Sequence, residues 1–86
     1  MFKIWARIEK EHKIIKQTTY ECEDKFAWGD FFYYLADVCE ALDIATPILL
    51  KTQIFSYAKF NRVRFLPRDF AEPVNFDYFV LENISR

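Results

Sequence analysis

The chain has 86 residues, enough for one hydrophobic core and too few for two. One Gly, three Pro and one His stand against ten Phe, five Tyr and two Trp, which excludes a disordered chain, a collagen-like repeat and a disulfide-dense mini-domain. The net charge of −1 is low for a non-specific nucleic-acid binder.

In chain order, residues 2–9 alternate. Phe2, Ile4, Ala6 and Ile8 point one way, and Lys3, Trp5, Arg7 and Glu9 the other, as in a half-buried strand. The polar run Glu9-Lys10-Glu11-His12 makes a turn. Residues 13–22 resume an extended pattern rich in β-branched side chains, giving a hairpin that lacks an Asn-Gly turn. The alternation slips at Ile14-Ile15, which fits either a bulge or mixed burial.

Residues 24–43 change period. Phe31, Leu35, Val38 and Leu42 follow helical spacing, with Phe32 and Cys39 beside them, and Asp30, Tyr33, Asp37, Glu40 and Ala41 opposite. Asp24 or Asp30 is the expected N-cap, and Ala45-Thr46-Pro47 the expected stop. Ile48-Leu49-Leu50 is too short to classify alone and is compatible with a short buried strand, and residues 52–60 suit a short helix. Residues 62–66 alternate as a third strand that Pro67 closes. Residues 68–75 read as a loop with one helical turn near Asp69–Glu72, and 76–84 as a fourth strand with apolar groups on both faces.

The expected fold is α+β: a four-stranded, mostly antiparallel sheet in the order β-β-α-(β/α)-β-β, with one long amphipathic helix on one face and residues 1–86 as a single domain. The other face, carrying Trp5 and Arg7, is left open.

Charge runs in blocks. Residues 26–45 hold four acids and no base, 51–68 five bases and no acid, and 69–85 four acids and no base. Two readings stay open: the acidic helix neutralises the basic segment within the chain, or the basic segment meets an anionic partner.

Catalytic groups are few. His12 falls in the hairpin turn, where a pocket is not expected, although Glu9 and Glu11 are near it in sequence. Cys39 falls on the core face of the helix, where burial makes a thiol inert. Cys22 and Cys39 have no zinc spacing and read as two reduced thiols. The acidic helix face of Asp30, Asp37 and Glu40 has oxygen ligands suited to a hard cation but reads as a solvated surface, so neither a metal nor another cofactor is expected. Lys3 and Arg7 interrupt the first apolar residues, so no signal peptide is expected, and no run is long enough for a membrane span. The expected compartment is the cytoplasm.

The stretch Tyr57–Phe65 interleaves bases with rings. Tyr57, Lys59, Arg62 and Arg64 are candidate binding residues, with Trp5 and Arg7 as a second group. Phe60 and Phe65 are expected in the core.

The segments FKIW, ALDIATPILL, RVRFLPRDFAE and FDYFVLE resemble those of small uncharacterised single-domain proteins of Gram-positive anaerobes. The shared elements are Trp5, Leu42-Asp43, Pro47, Arg64-Phe65, Asp69-Phe70 and Phe76-Asp77. The resemblance spans most of the chain. It implies one domain of constant length and transfers no activity and no functional residue.

The expected function is a non-enzymatic protein-interaction domain working on another protein, as a homodimer or other small homo-oligomer. One form of it is a phage- or mobile-element-type inhibitor of a host factor. The alternative is a binder of nucleic acid or nucleotide through residues 57–65.

Overall fold

A computed structural model describes residues 1–85. Strand β1 runs Phe2–Lys10 and β2 runs Lys13–Cys22. A 3-10 turn at Trp28–Asp30 leads into helix α1, Phe31–Ala41, and α2 follows at Lys51–Phe60. β3 is Arg62–Phe65, a second 3-10 turn is Pro67–Asp69, and β4 is Tyr78–Asn83. The sheet order is β2-β1-β4-β3 with every pairing antiparallel.

The α+β class and the four-stranded sheet agree with the sequence reading. The single long helix does not: the described residues form two α-helices, and residues 24–27 are not helical. Ala27 is extended (φ −120°, ψ 118°), and Phe26 packs edge-on to Trp28 at 4.7 Å and to Phe2 at 5.1 Å. Aromatic packing, worth about 0.5–1.5 kcal/mol per pair beyond area burial, holds this segment off the helix axis. Gly29 adds a local helix penalty of about 1 kcal/mol.

α1 buries Phe31, Tyr34, Leu35, Val38 and Cys39, with Leu42 following as its cap. That is a complete i, i+3, i+4, i+7, i+8, i+11 stripe. Phe32 lies one position off it and is exposed, contrary to its expected place beside the core. The helix ends at Leu42, earlier than Ala45. Asp43 takes the left-handed conformation (φ 58°), and the Ile44 and Asp43 amides donate to the Cys39 and Glu40 carbonyls, a Schellman stop without glycine. The Lys16 ammonium adds a hydrogen bond to the Leu42 carbonyl at 3.0 Å, tying α1 to β2.

The hairpin turn places Glu11 (φ 52°) and His12 (φ 65°) in left-handed backbone, the geometry that Asn-Gly usually supplies. The Glu11 amide donates to Asp77 Oδ2 at 2.8 Å, so the β4 side supports the turn. The register between β1 and β2 slips where Ile8 pairs with Lys16 and Glu9 with Ile14, which makes Ile15 the bulged residue.

One face of the sheet is core. Ile4, Ala6 and Ile8 meet Phe79 and Leu81 of β4, then Val63 and Phe65 of β3, under α1 and Tyr57 of α2. Residues 48–50 form no strand, and no 3-10 turn occurs at Asp69–Glu72, because the turn sits two residues earlier. There the Leu66 amide donates to Asp69 Oδ2 at 2.7 Å.

Candidate interaction face

Among the described residues no helix covers the opposite sheet face. Cross-strand register assigns its members: Trp5 faces Glu82, which faces Arg62; Arg7 faces Val80, which faces Arg64; Glu9 faces Tyr78. Directly opposed residues share a face at about 4.5–5.5 Å between Cβ atoms, so these eight side chains form one continuous array.

Arg7 is its centre and is buried, at 8% exposure. Its Nε donates to Glu9 Oε2 at 2.7 Å and its Nη1 to Glu82 Oε1 at 3.2 Å. Its guanidinium lies 4.2 Å from the Trp5 ring centroid. The Trp5 Nε1–H donates to Gln17 Oε1 at 2.9 Å, which fixes the ring. A buried cation is tolerable only when paired and hydrogen-bonded. Two carboxylates and one ring meet that requirement here.

Arg62 and Arg64 differ. Both are exposed on edge strand β3, and among the described residues neither has a carboxylate within salt-bridge distance. Glu82, the cross-strand neighbour of Arg62, is taken by Arg7. Arg64 stacks 4.4 Å from the Tyr78 ring centroid, an arrangement that leaves N–H groups of its fork for an acceptor.

α2 flanks this corner. Its N-terminus is held by the Leu50 amide donating to Gln53 Oε1 at 2.6 Å. Its C-terminus is closed by left-handed Asn61 (φ 58°), whose amide donates to the Tyr57 carbonyl. The Ser56 hydroxyl donates to the Arg62 carbonyl at 3.0 Å. The result is a groove of about 370 Å³ lined by Arg7, Glu9, Ser56, Phe60, Arg62, Arg64 and Val80. Val80 is its apolar floor, 3% exposed, and Phe60 an exposed wall.

Of the predicted site residues, Trp5, Arg7, Arg62 and Arg64 come together. Lys59 is exposed nearby, its ammonium 5.4 Å from the Phe60 ring centroid. Tyr57 is a correction: it is buried on the other side of the fold, 5.1 Å from the Phe31 ring, because it follows Ile54 by three on the inner face of α2. Burial pushes its hydroxyl up to about pKa 12. Phe60 is the converse correction, exposed rather than core.

Asp37 and Glu40 stay exposed on α1, and Asp30 at its N-cap, in the layer covering the core face of the sheet. Among the described residues no ion pair joins them to the basic segment, so the internal-neutralisation reading of the charge blocks finds no support. No group of three or more His, Cys, Asp or Glu suited to a metal ion occurs among the described residues.

Sequence reasoning missed Glu82, Tyr78 and Val80. Their signal was the period-two alternation of β4 against Phe79 and Leu81. Burial raises the Cys39 thiol to about pKa 12, with a hydrogen bond from Thr46 opposing, and both cysteines are free. Among the described residues no helix is long and apolar enough to cross a membrane.

No protein-family model, curated protein or solved structure matches this chain.

Proposed function

We propose that this chain is a non-enzymatic protein-interaction domain that binds an acidic partner through its open sheet face. The observation that carries this reading is the pairing state of the three arginines. Arg7 takes both nearby carboxylates, and Arg62 and Arg64 are left free beside Phe60 and Tyr78. Trp, Tyr and Arg dominate the energetics of protein interfaces, and this face concentrates them. The reading places the domain in the cytoplasm, acting alone or as a homodimer. An inhibitor of a host factor carried by a phage or mobile element is one form of it.

The test is affinity capture from native host lysate with three baits: the natural chain, Arg62→Glu/Arg64→Glu, and Asp37→Lys/Glu40→Lys. A protein held by the first and third baits and lost by the second supports the reading. Equal capture by all three overturns it.

A second reading, a binder of single-stranded nucleic acid or nucleotide, draws on the same arginines and on the Phe60 and Tyr78 rings as stacking surfaces. Two phosphate contacts give a salt slope of only about −1.4 in log–log terms. Glu9 and Glu82 in the same array oppose a polyanion, which favours the protein reading.

A further inference from the structure

We infer that the groove beside β3 takes an extended acidic segment whose carboxylates are two residues apart, of the form acid-apolar-acid. The inference rests on the protein-binding reading and specifies its partner.

Arg62 and Arg64 lie on one face of β3 with Val63 between them pointing into the core. Two steps of a strand separate their Cβ atoms by about 6.6–6.8 Å. An extended peptide has the same rise, so only residues at i and i+2 present two carboxylates on one side at that spacing. Adjacent acids, or acids three apart, point to opposite sides and reach one arginine at a time.

The arginines are prepared for this. Arg64 is seated over the Tyr78 ring, which lowers the ordering cost of a forked hydrogen bond to carboxylate. Arg62 stays free because Arg7 holds Glu82. Arg7 is therefore a positioning residue: it lines the groove with its guanidinium already engaged by Glu9 and Glu82, and it withholds the acid that would otherwise close the site. The Val80 floor and the Phe60 wall give the groove apolar surface for the rest of the segment. The groove also contains Glu9, and Glu82 lies beside it, so the array offers two unpaired arginines with a net charge of only +1 (three arginines against two carboxylates) rather than a continuous basic track. That suits two carboxylates better than a run of phosphates.

The test uses fluorescein-labelled peptides of equal length containing Glu-Val-Glu, Glu-Glu-Val, Glu-Val-Val-Glu or Gln-Val-Gln, plus a labelled oligothymidylate. Binding is read by fluorescence anisotropy at low salt. Glu-Val-Glu should bind the full chain at least about five-fold more tightly than the other peptides. Arg62→Gln and Arg64→Gln should each weaken it about ten-fold, as loss of a charge-assisted bond requires, with unchanged thermal midpoints.

Equal binding of the two-charge peptides overturns the spacing and leaves the acidic-partner reading standing. Absence of binding by any acidic peptide overturns the inference, and the lysate experiment then decides the broader reading separately. Tighter binding of oligothymidylate than of Glu-Val-Glu also overturns it, in favour of nucleic acid.

Discussion

On one face of the sheet, Ile4, Ala6 and Ile8 meet Leu81, Phe79, Val63 and Phe65 with almost no exposure. On the other, residues of the same four strands form a stacked array: Trp5 under Arg7, Arg7 between Glu9 and Glu82, and Arg64 on Tyr78. The first face draws its energy from area, with each large apolar side chain contributing about 1.5–3 kcal/mol on burial. The second draws little from area and much from orientation. These fixed side chains, beside two exposed arginines without a carboxylate partner among the described residues, are what the proposed acidic-partner reading draws on.

The comparison breaks most visibly on the core side. Phe79→Ala removes a ring that packs on Phe65 at 5.6 Å and should cost about 3–5 kcal/mol. Against a total of about 5–15 kcal/mol, urea denaturation should show the midpoint fall by a large fraction. A change under about 1 kcal/mol would mean that the core is not packed around this ring.

Arg7→Met tests the hinge between the two faces. It removes two charge-assisted hydrogen bonds from partly buried carboxylates, and should cost about 1–3 kcal/mol. It also frees Glu82 to pair with Arg62, so acidic-peptide binding should fall although the Arg7 guanidinium is already engaged by Glu9 and Glu82. Unchanged binding with lowered stability would confine Arg7 to a structural role.

The core face also predicts alkaline sensitivity. Cys39 and Tyr57 hold their protons up to about pH 12 in the folded chain, whereas their ordinary values are 9.0 and 10.0. Above about pH 9 the unfolded chain therefore binds fewer protons than the folded one, and stability falls as pH rises toward 12. Cys39→Ala should remove the part of that fall beginning near pH 9. Urea midpoints between pH 8 and 11 that do not move would contradict the burial of these groups.

The smallest stability effect belongs to the open face. Arg64→Gln should change unfolding free energy by no more than about 0.5 kcal/mol, while abolishing most peptide binding. A larger loss would mean that its stack on Tyr78 serves the fold.

Strand alternation made much of this division legible. It separated Ile4, Ala6 and Ile8 from Trp5 and Arg7, separated Val63 and Phe65 from Arg62 and Arg64, and marked the bulge at Ile15. It failed where two periods meet. The run Tyr57–Phe65 reads as one basic-aromatic stripe, but Asn61 divides it into helix and strand, which sends Tyr57 inward and leaves Phe60 outside. The pairing state of the arginines was not legible either. It depends on Glu82 arriving beside Arg7, a contact between residues 75 positions apart. The polar run placed the turn at Glu11-His12, but not its left-handed backbone, where tertiary support from Asp77 replaces the usual Asn-Gly chemistry.

The most direct test of the two-faced account is a backbone-amide and indole chemical-shift map of the ¹⁵N-labelled chain during titration with the Glu-Val-Glu peptide. The account predicts shifts at Arg62, Arg64, Val80 and the Trp5 indole N–H, with α1 unmoved. Shifts centred on Asp37 and Glu40 of α1, with the open face silent, would contradict it.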